Sequence, residues 1–171
     1  MIDKRTKQRE EEVQLVVFKL GGEEFAVNIQ QVREIVRMVS ITPIPRSPDF
    51  IEGVVNLRGQ VLIIMELAKR LGLPVGTRSD KTRIIVAEVK DSTLGMIVDD
   101  VTEVLRIPVS RIEKTPELVE VDITKKYITG IGKLEDRLLI LIDLANVLSS
   151  EEIEHVKKAE EIISQPESET A

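Results

Sequence analysis

FIEGVVNLRGQVLIIMELAKRL (Phe50–Leu71) is written again, with changes, as YITGIGKLEDRLLILIDLANVL (Tyr127–Leu148). At a constant offset of 77, Gly53 falls on Gly130, Leu57 on Leu134, Leu67 on Leu144 and Ala68 on Ala145. A second match lies upstream of each copy, now at an offset of 69. It sets Val17 on Val86, Val32 on Val101, Glu34 on Glu103 and Arg37 on Arg106. The offsets differ because twelve residues separate Arg37 from Phe50 and twenty separate Arg106 from Tyr127. Two ordered matches in each half point to an internal duplication with units at about 13–72 and 82–148.

Each unit reads the same way. VQLVVFKL, Gly21-Gly22 and EEFAVNI form a β-hairpin, because glycines supply the positive φ angles of a tight turn. TRIIVAEV, KDST and LGMIV form its counterpart. A V-x-E-[IV]-x-R strand, a loop, a glycine-containing strand, a tight turn, an apolar strand and a short helix follow. Glu66 and Asp143 mark the two helix starts, where a carboxylate meets free N–H groups. Five short strands per unit suit a small closed barrel, which removes exposed sheet edges. The expected fold is mainly β: two SH3-like, five-stranded lobes around a pseudo-twofold axis. Whether the lobes exchange strands is left open. Residues 1–12 and 165–171 read as solvated tails. Residues 149–164 read as an amphipathic helix, with Ser149 and Glu152 as a capping box and Ile153, Val156, Ala159 and Ile163 on one face.

The 171 residues carry a net charge of −6, have no cysteine and are 2% aromatic. Without a basic face or stacking aromatics, a small β-barrel that binds nucleic acid is the weaker alternative. The absence of thiols suits a reducing cytoplasm, and with few asparagines it suits a thermophile. No apolar run reaches membrane-helix length, so direct membrane insertion is not expected. Catalytic candidates are thin. The single histidine, His155, sits among glutamates on the last helix. The Asp99-Asp100 doublet sits where a strand turns, a normal place for aspartate, and with Asp122 it is the carboxylate set a metal could use. GIGK (130–133) lies inside a strand and does not precede a helix, so it is no phosphate loop. The expectation is a binding protein with no catalytic residue, cofactor or metal.

Function should then lie where the copies differ. NLRGQ becomes KLEDR, so Arg58 is replaced by Glu135 and Gly59 by Asp136, while Glu34 keeps its counterpart Glu103. Arg58 is expected to hold the Glu34 carboxylate across adjacent strands. The loop SITPIPRSPDF (40–50), with Pro43, Pro45 and Pro48, reads as stiff and extended. Val27, Ile97 and Val98 are candidate floor residues of a groove between the lobes, with ordinary core packing as the competing reading of each.

LVVFKLGGEEFAVNIQQVREIV, the string PDFIEGVVNLRG and the closing EDRLLILIDL carry a resemblance to the CheW family of chemotaxis coupling proteins, over about Val13 to Leu148. Glu135 stands where glycine is often expected in that family. The resemblance implies a non-enzymatic adaptor between the cytoplasmic tip of methyl-accepting chemoreceptors and the regulatory domain of a CheA-type histidine kinase. Matched position by position, the receptor-coupling residues fall on Glu34, Gly53 and Arg58. The resemblance implies a cytoplasmic protein recruited to membrane receptor arrays through its partners. A same-fold adaptor of a non-flagellar chemosensory pathway is the alternative within the family.

Overall fold

The computed structural model describes residues 11–114 and 127–164, with side chains through Glu161. Both predicted hairpins form. The first is β1 (Glu12–Leu20) with β2 (Glu23–Asn28), and the second is β6 (Arg83–Val89) with β7 (Ser92–Val98). The other strands are β3 (Val32–Arg37), β4 (Ile51–Leu57), β5 (Gln60–Glu66), β8 (Asp100–Pro108), β9 (Ile112–Lys114), β10 (Ile128–Lys133) and β11 (Leu138–Ile142). Helix α1 spans Leu67–Leu71 and α2 spans Ser150–Ser164.

The strand order shows an exchange of hairpins. One sheet runs β8-β1-β2-β11-β10-β9, the other β3-β6-β7-β5-β4. The first unit's hairpin therefore joins the second unit's strands to make lobe A, and the second unit's hairpin joins the first unit's strands to make lobe B. The two lobes follow one plan. The hairpin's first strand pairs antiparallel with β8 or β3, and its second strand pairs parallel with β11 or β5. Lobe A has one strand beyond the expected five, because Ile112–Lys114 pairs with β10 where lobe B has only the Thr42–Val54 bridge.

Exchange explains why the hairpins read as unbroken apolar runs: they are buried on both faces. Alternation sends Leu15 and Val17 into lobe A's interior, and Ile84 and Val86 into lobe B's. The intervening residues, Val16, Phe18 and Leu20 on β1 and Ile85, Ala87 and Val89 on β6, meet in a central cluster between the lobes. Apart from Ala87, each such side chain contributes about 1.5–3 kcal/mol by leaving water. Leu67 and Leu144, matched in the repeat, are both buried in that cluster.

Helix α2 caps the cluster with Ile153 and Val156. Its capping box forms as read: Ser149 N donates to Glu152 Oε1 at 2.7 Å, and Glu152 N donates to Ser149 Oγ at 3.1 Å. Arg70 ties the same carboxylate at 3.1 Å while its guanidinium lies 5.7 Å from the Phe50 ring centroid. The side chain of Ile163 lies outside the described residues.

Two expectations about helix starts need correction. Asp143 does cap a helical turn, accepting Ala145 N at 2.9 Å, but the turn is a 3-10 segment, Leu144–Asn146. Glu66 makes no side-chain cap. Its carboxylate is buried and bonds Arg78 at 3.2 Å, so an ion pair replaces the helix dipole as its partner.

Candidate functional site

β3 and β8 each carry a bulge just before the matched glutamate. Val32 faces Ala87 and Glu34 faces Val86, leaving Arg33 as the extra residue. Val101 faces Phe18 and Glu103 faces Val17, leaving Thr102 extra. A bulge bends the strand and re-aims the next side chain. Here it directs each carboxylate towards the far edge of its own sheet.

In lobe B that edge is the β4–β5 hairpin. Its turn residues, Arg58 and Gly59, both have positive φ, 52° and 87°. This matches the two-residue turn whose twist suits a hairpin. Gly59 N donates to Asn56 Oδ1 at 2.9 Å. Arg58 Nη2 donates to Glu34 Oε2. The pair forms as expected, though not across adjacent strands: β3 and β4 are the two outer strands of the sheet, and the contact closes the seam between them. Arg58 remains 66% exposed and Glu34 35%.

Gly53 braces the same seam. Its φ is 146°, and a Cβ there would stand 2.1 Å from the Thr42 carbonyl oxygen. Thr42 N and Val54 N exchange hydrogen bonds with Val54 O and Thr42 O at 2.9 and 2.8 Å across this approach. Gly53 thus permits the backbone contact that stands Arg58 opposite Glu34. Gly130 makes the equivalent approach in lobe A, where a Cβ would lie 2.8 Å from Glu113 O.

The second copy also keeps an arginine–carboxylate pair, which sequence reasoning missed. Arg137 Nη2 donates to Glu103 Oε2, and Arg137 Nε lies 2.8 Å from Glu24 Oε1. Arg137 is the counterpart of Gln60, so the arginine has moved from the turn to the position after it. The signal was present in KLEDR, which loses one arginine and gains another two places on. Burial acts to lower the Arg137 pKa, but Glu24, Glu103 and Asp136 outweigh it and raise it above the ordinary value.

Exposed aliphatic side chains stand at matched positions of the two lobes: Ile35 and Val61 in lobe B, Val104 and Leu138 in lobe A.

A family model for the CheW-like domain matches residues 14–152. The chemotaxis protein CheW of Rhizobium meliloti is 38% identical over 82% of this chain and 90% of its own length. That of Bacillus subtilis is 40% identical over 80% and 87%. The crystal structure of the scaffolding protein TtCheW from Thermoanaerobacter tengcongensis superposes with a TM-score of 0.73 at 38% identity, covering 82% of this chain and 90% of that one. The chain belongs to the CheW family.

For this CheW-family chain, the expected groove floor is corrected. Val27, Ile97 and Val98 are 1%, 2% and 0% exposed. Val27 and Val98 belong to the central cluster and Ile97 to lobe B's interior. Hairpin exchange packs each hairpin against the other lobe, so these residues face protein, not an open groove. Asp99 accepts a hydrogen bond from Gly21 N at 3.0 Å, and Asp100 stands opposite Lys19 in the β1–β8 strand register. Asp122 lies outside the described residues. Among the described residues no group of three or more His, Cys, Asp or Glu could hold a metal, and no helix is long and apolar enough to cross a membrane. His155 is exposed on α2. The loop after β3 is extended only in part: Arg46 takes φ 61°, and Ser47 Oγ donates to Ile44 O at 2.9 Å.

Proposed function

We propose that this chain is a non-enzymatic chemotaxis adaptor, coupling the cytoplasmic tip of chemoreceptors to the regulatory domain of a CheA-type histidine kinase. The supporting observation is the lobe B seam. An exposed, hairpin-borne guanidinium is paired with Glu34, and the same strands carry exposed Ile35 and Val61. Such a surface offers a helical hairpin a directed charge together with exposed aliphatic side chains. Arg58 supplies the charge, Glu34 orients it, and Gly53 maintains the seam without touching the receptor. The matched aliphatic pair on lobe A gives a second patch of similar character, fit for a second partner. Recruitment to a membrane array then proceeds through the receptor.

The test is a pull-down of the full chain, wild type and Arg58→Ala, against a receptor-tip fragment and a CheA-type regulatory domain. Loss of the receptor alone, with an unchanged melting curve, is the expected result. A wild type that captures neither partner would leave only the family fold and defeat the proposal.

A further inference from the structure

The β4–β5 and β10–β11 hairpins are copies of one another, yet they turn differently. In lobe B the ladder runs to Leu57 opposite Gln60, so only Arg58 and Gly59 are left to turn the chain. Both take positive φ, 52° and 87°. In lobe A the register stops one pair earlier, at Lys133 opposite Leu138, and a single further bond runs from Leu134 N to Arg137 O at 2.9 Å. Neither Glu135 nor Asp136 has a positive φ. Of the two hairpins, lobe B's alone puts an arginine where glycine, asparagine and aspartate are preferred. A side chain in the left-handed region is disfavoured, because its Cβ crowds the following carbonyl oxygen. A local rule broken at one residue marks a position kept for something other than the turn.

Arg58 needs support to stay there. Its partner Glu34 holds it in solvent, and an exposed ion pair fixes orientation only weakly. The firmer hold is on the backbone. Asn56 Oδ1 accepts Gly59 N at 2.9 Å. That N–H belongs to the peptide unit joining Arg58 to Gly59, and it lies outside the strand ladder. The unit is planar, so fixing it sets ψ of Arg58 and with it the direction in which the side chain leaves the turn. The counterpart of Asn56 in lobe A is Lys133, which pairs with Glu113 at 2.5 Å. An ammonium has donors and no acceptor, so it cannot hold a turn amide. The change from NLRGQ to KLEDR therefore removes the turn arginine and the acceptor that steadies it together.

We infer that Asn56 is a positioning residue for the receptor contact: it acts through Arg58, holding it in the left-handed turn that aims the guanidinium at the seam with Glu34. The inference rests on the receptor reading of Arg58 and adds the residue through which that charge is directed. Without the Asn56 bond the turn visits other conformations, and the guanidinium leaves the seam for part of the time. Affinity then falls in proportion to the fraction of chains in which Arg58 is still in place. The loss of one neutral hydrogen bond sets the scale of that fall at about three- to tenfold.

The experiment titrates the full chain with a receptor-tip fragment by calorimetry and reads the Glu34 side-chain carboxyl carbon by NMR on the same samples. Asn56→Ala should bind about three- to tenfold more weakly, and its Glu34 signal should move towards that of Arg58→Ala. Asn56→Asp keeps the acceptor oxygen and should stay within about twofold of wild type. Asn28→Ala is the control. It removes the same kind of bond in lobe A, Gln30 N to Asn28 Oδ1 at 2.9 Å, and should leave receptor affinity and the Glu34 signal unchanged. Arg58→Ala and the double variant with Asn56→Ala should match each other in affinity and in the Glu34 signal. Three results would overturn the inference: wild-type affinity and Glu34 signal in Asn56→Ala, a loss in Asn56→Asp as large as in Asn56→Ala, or a double variant weaker than Arg58→Ala by the full Asn56→Ala factor. A wild type that binds no receptor fragment would defeat the receptor reading instead, and the Glu34 signal alone would then decide whether Asn56 holds Arg58 in place.

Discussion

The two seams are built from the same parts and differ in where the arginine is attached. In lobe B it sits on the turn, 66% exposed, with one carboxylate partner. In lobe A it sits after the turn, 30% exposed, and is held between Glu24 and Glu103. Moving one guanidinium two positions along a hairpin changes a surface charge into a structural tie. A paired residue that keeps its outer face open can meet a partner, whereas one shared by two carboxylates has less left to offer. Duplication supplied the closure of each lobe, and divergence of the turn left the guanidinium of one copy exposed.

The comparison can be broken most sharply at the glycines. Gly53→Ala should cost about 3 kcal/mol or more, because it forces a strained backbone angle and a clash with Thr42 O at once. Gly130→Ala, which has the close approach but no positive φ, should cost about 1–2 kcal/mol. Urea denaturation of both variants measures the difference; equal losses would show the two seams to be equally strained.

The hairpin turns give the next largest contrast. β1–β2 turns on Gly21 and Gly22, while β6–β7 turns on Lys90 and Asp91 at φ 47° and 72°. Asp91→Gly should therefore raise stability by about 0.5–1 kcal/mol, since a side chain in the left-handed region is disfavoured. A drop in the denaturation midpoint would show that Asp91 makes a contact that outweighs the strain.

For the arginines, Arg58→Ala should stay within about 0.5 kcal/mol of wild type, as exposed pairs contribute little. Arg137→Ala should lower the melting temperature further, because it leaves Glu24 and Glu103 facing each other without a cation. Reversal of that order in thermal melts would remove the distinction between a recognition seam and a structural one.

The smallest effect concerns Glu66 at the end of lobe B. Burial holds the Glu66 carboxyl above the usual carboxylate range, despite the opposing attraction of Arg78. Its pKa is thus higher folded than unfolded, and the folded state binds the proton more tightly. Between the ordinary glutamate range and that raised value, acidification adds stability from this group, which is lost as pH rises. Glu66→Gln should flatten that part of the pH–stability curve. Parallel curves for wild type and variant would mean Glu66 ionises as freely folded as unfolded.

Much of this was legible in the sequence because it is local or periodic. The hairpins follow from two-residue turns between apolar runs, the α2 cap from Ser149 and Glu152, and the duplicated plan from two constant offsets. The Arg58–Glu34 pair was also within reach, since residue type and position differed between otherwise matched copies. Arg137 was missed because comparing equal positions hides a charge that has shifted by two. Val27, Ile97 and Val98 could be read as groove floor or as core, because alternation tells which residues share a face but not what covers that face; the structure makes them core.

By itself, the sequence determined the strands, the turns, the repeat and the family, since each depends on backbone preference or spacing along the chain. Only the tertiary structure decided which hairpin joins which lobe. Either partner offers the same strand edges and the same alternating apolar faces, so nothing local distinguishes them. Packing the doubly apolar hairpins between two sheets buries both of their faces at once. That arrangement also placed Arg58 on an open seam, Arg137 in a closed one, and Arg78 against Glu52 and Glu66 at the end of lobe B.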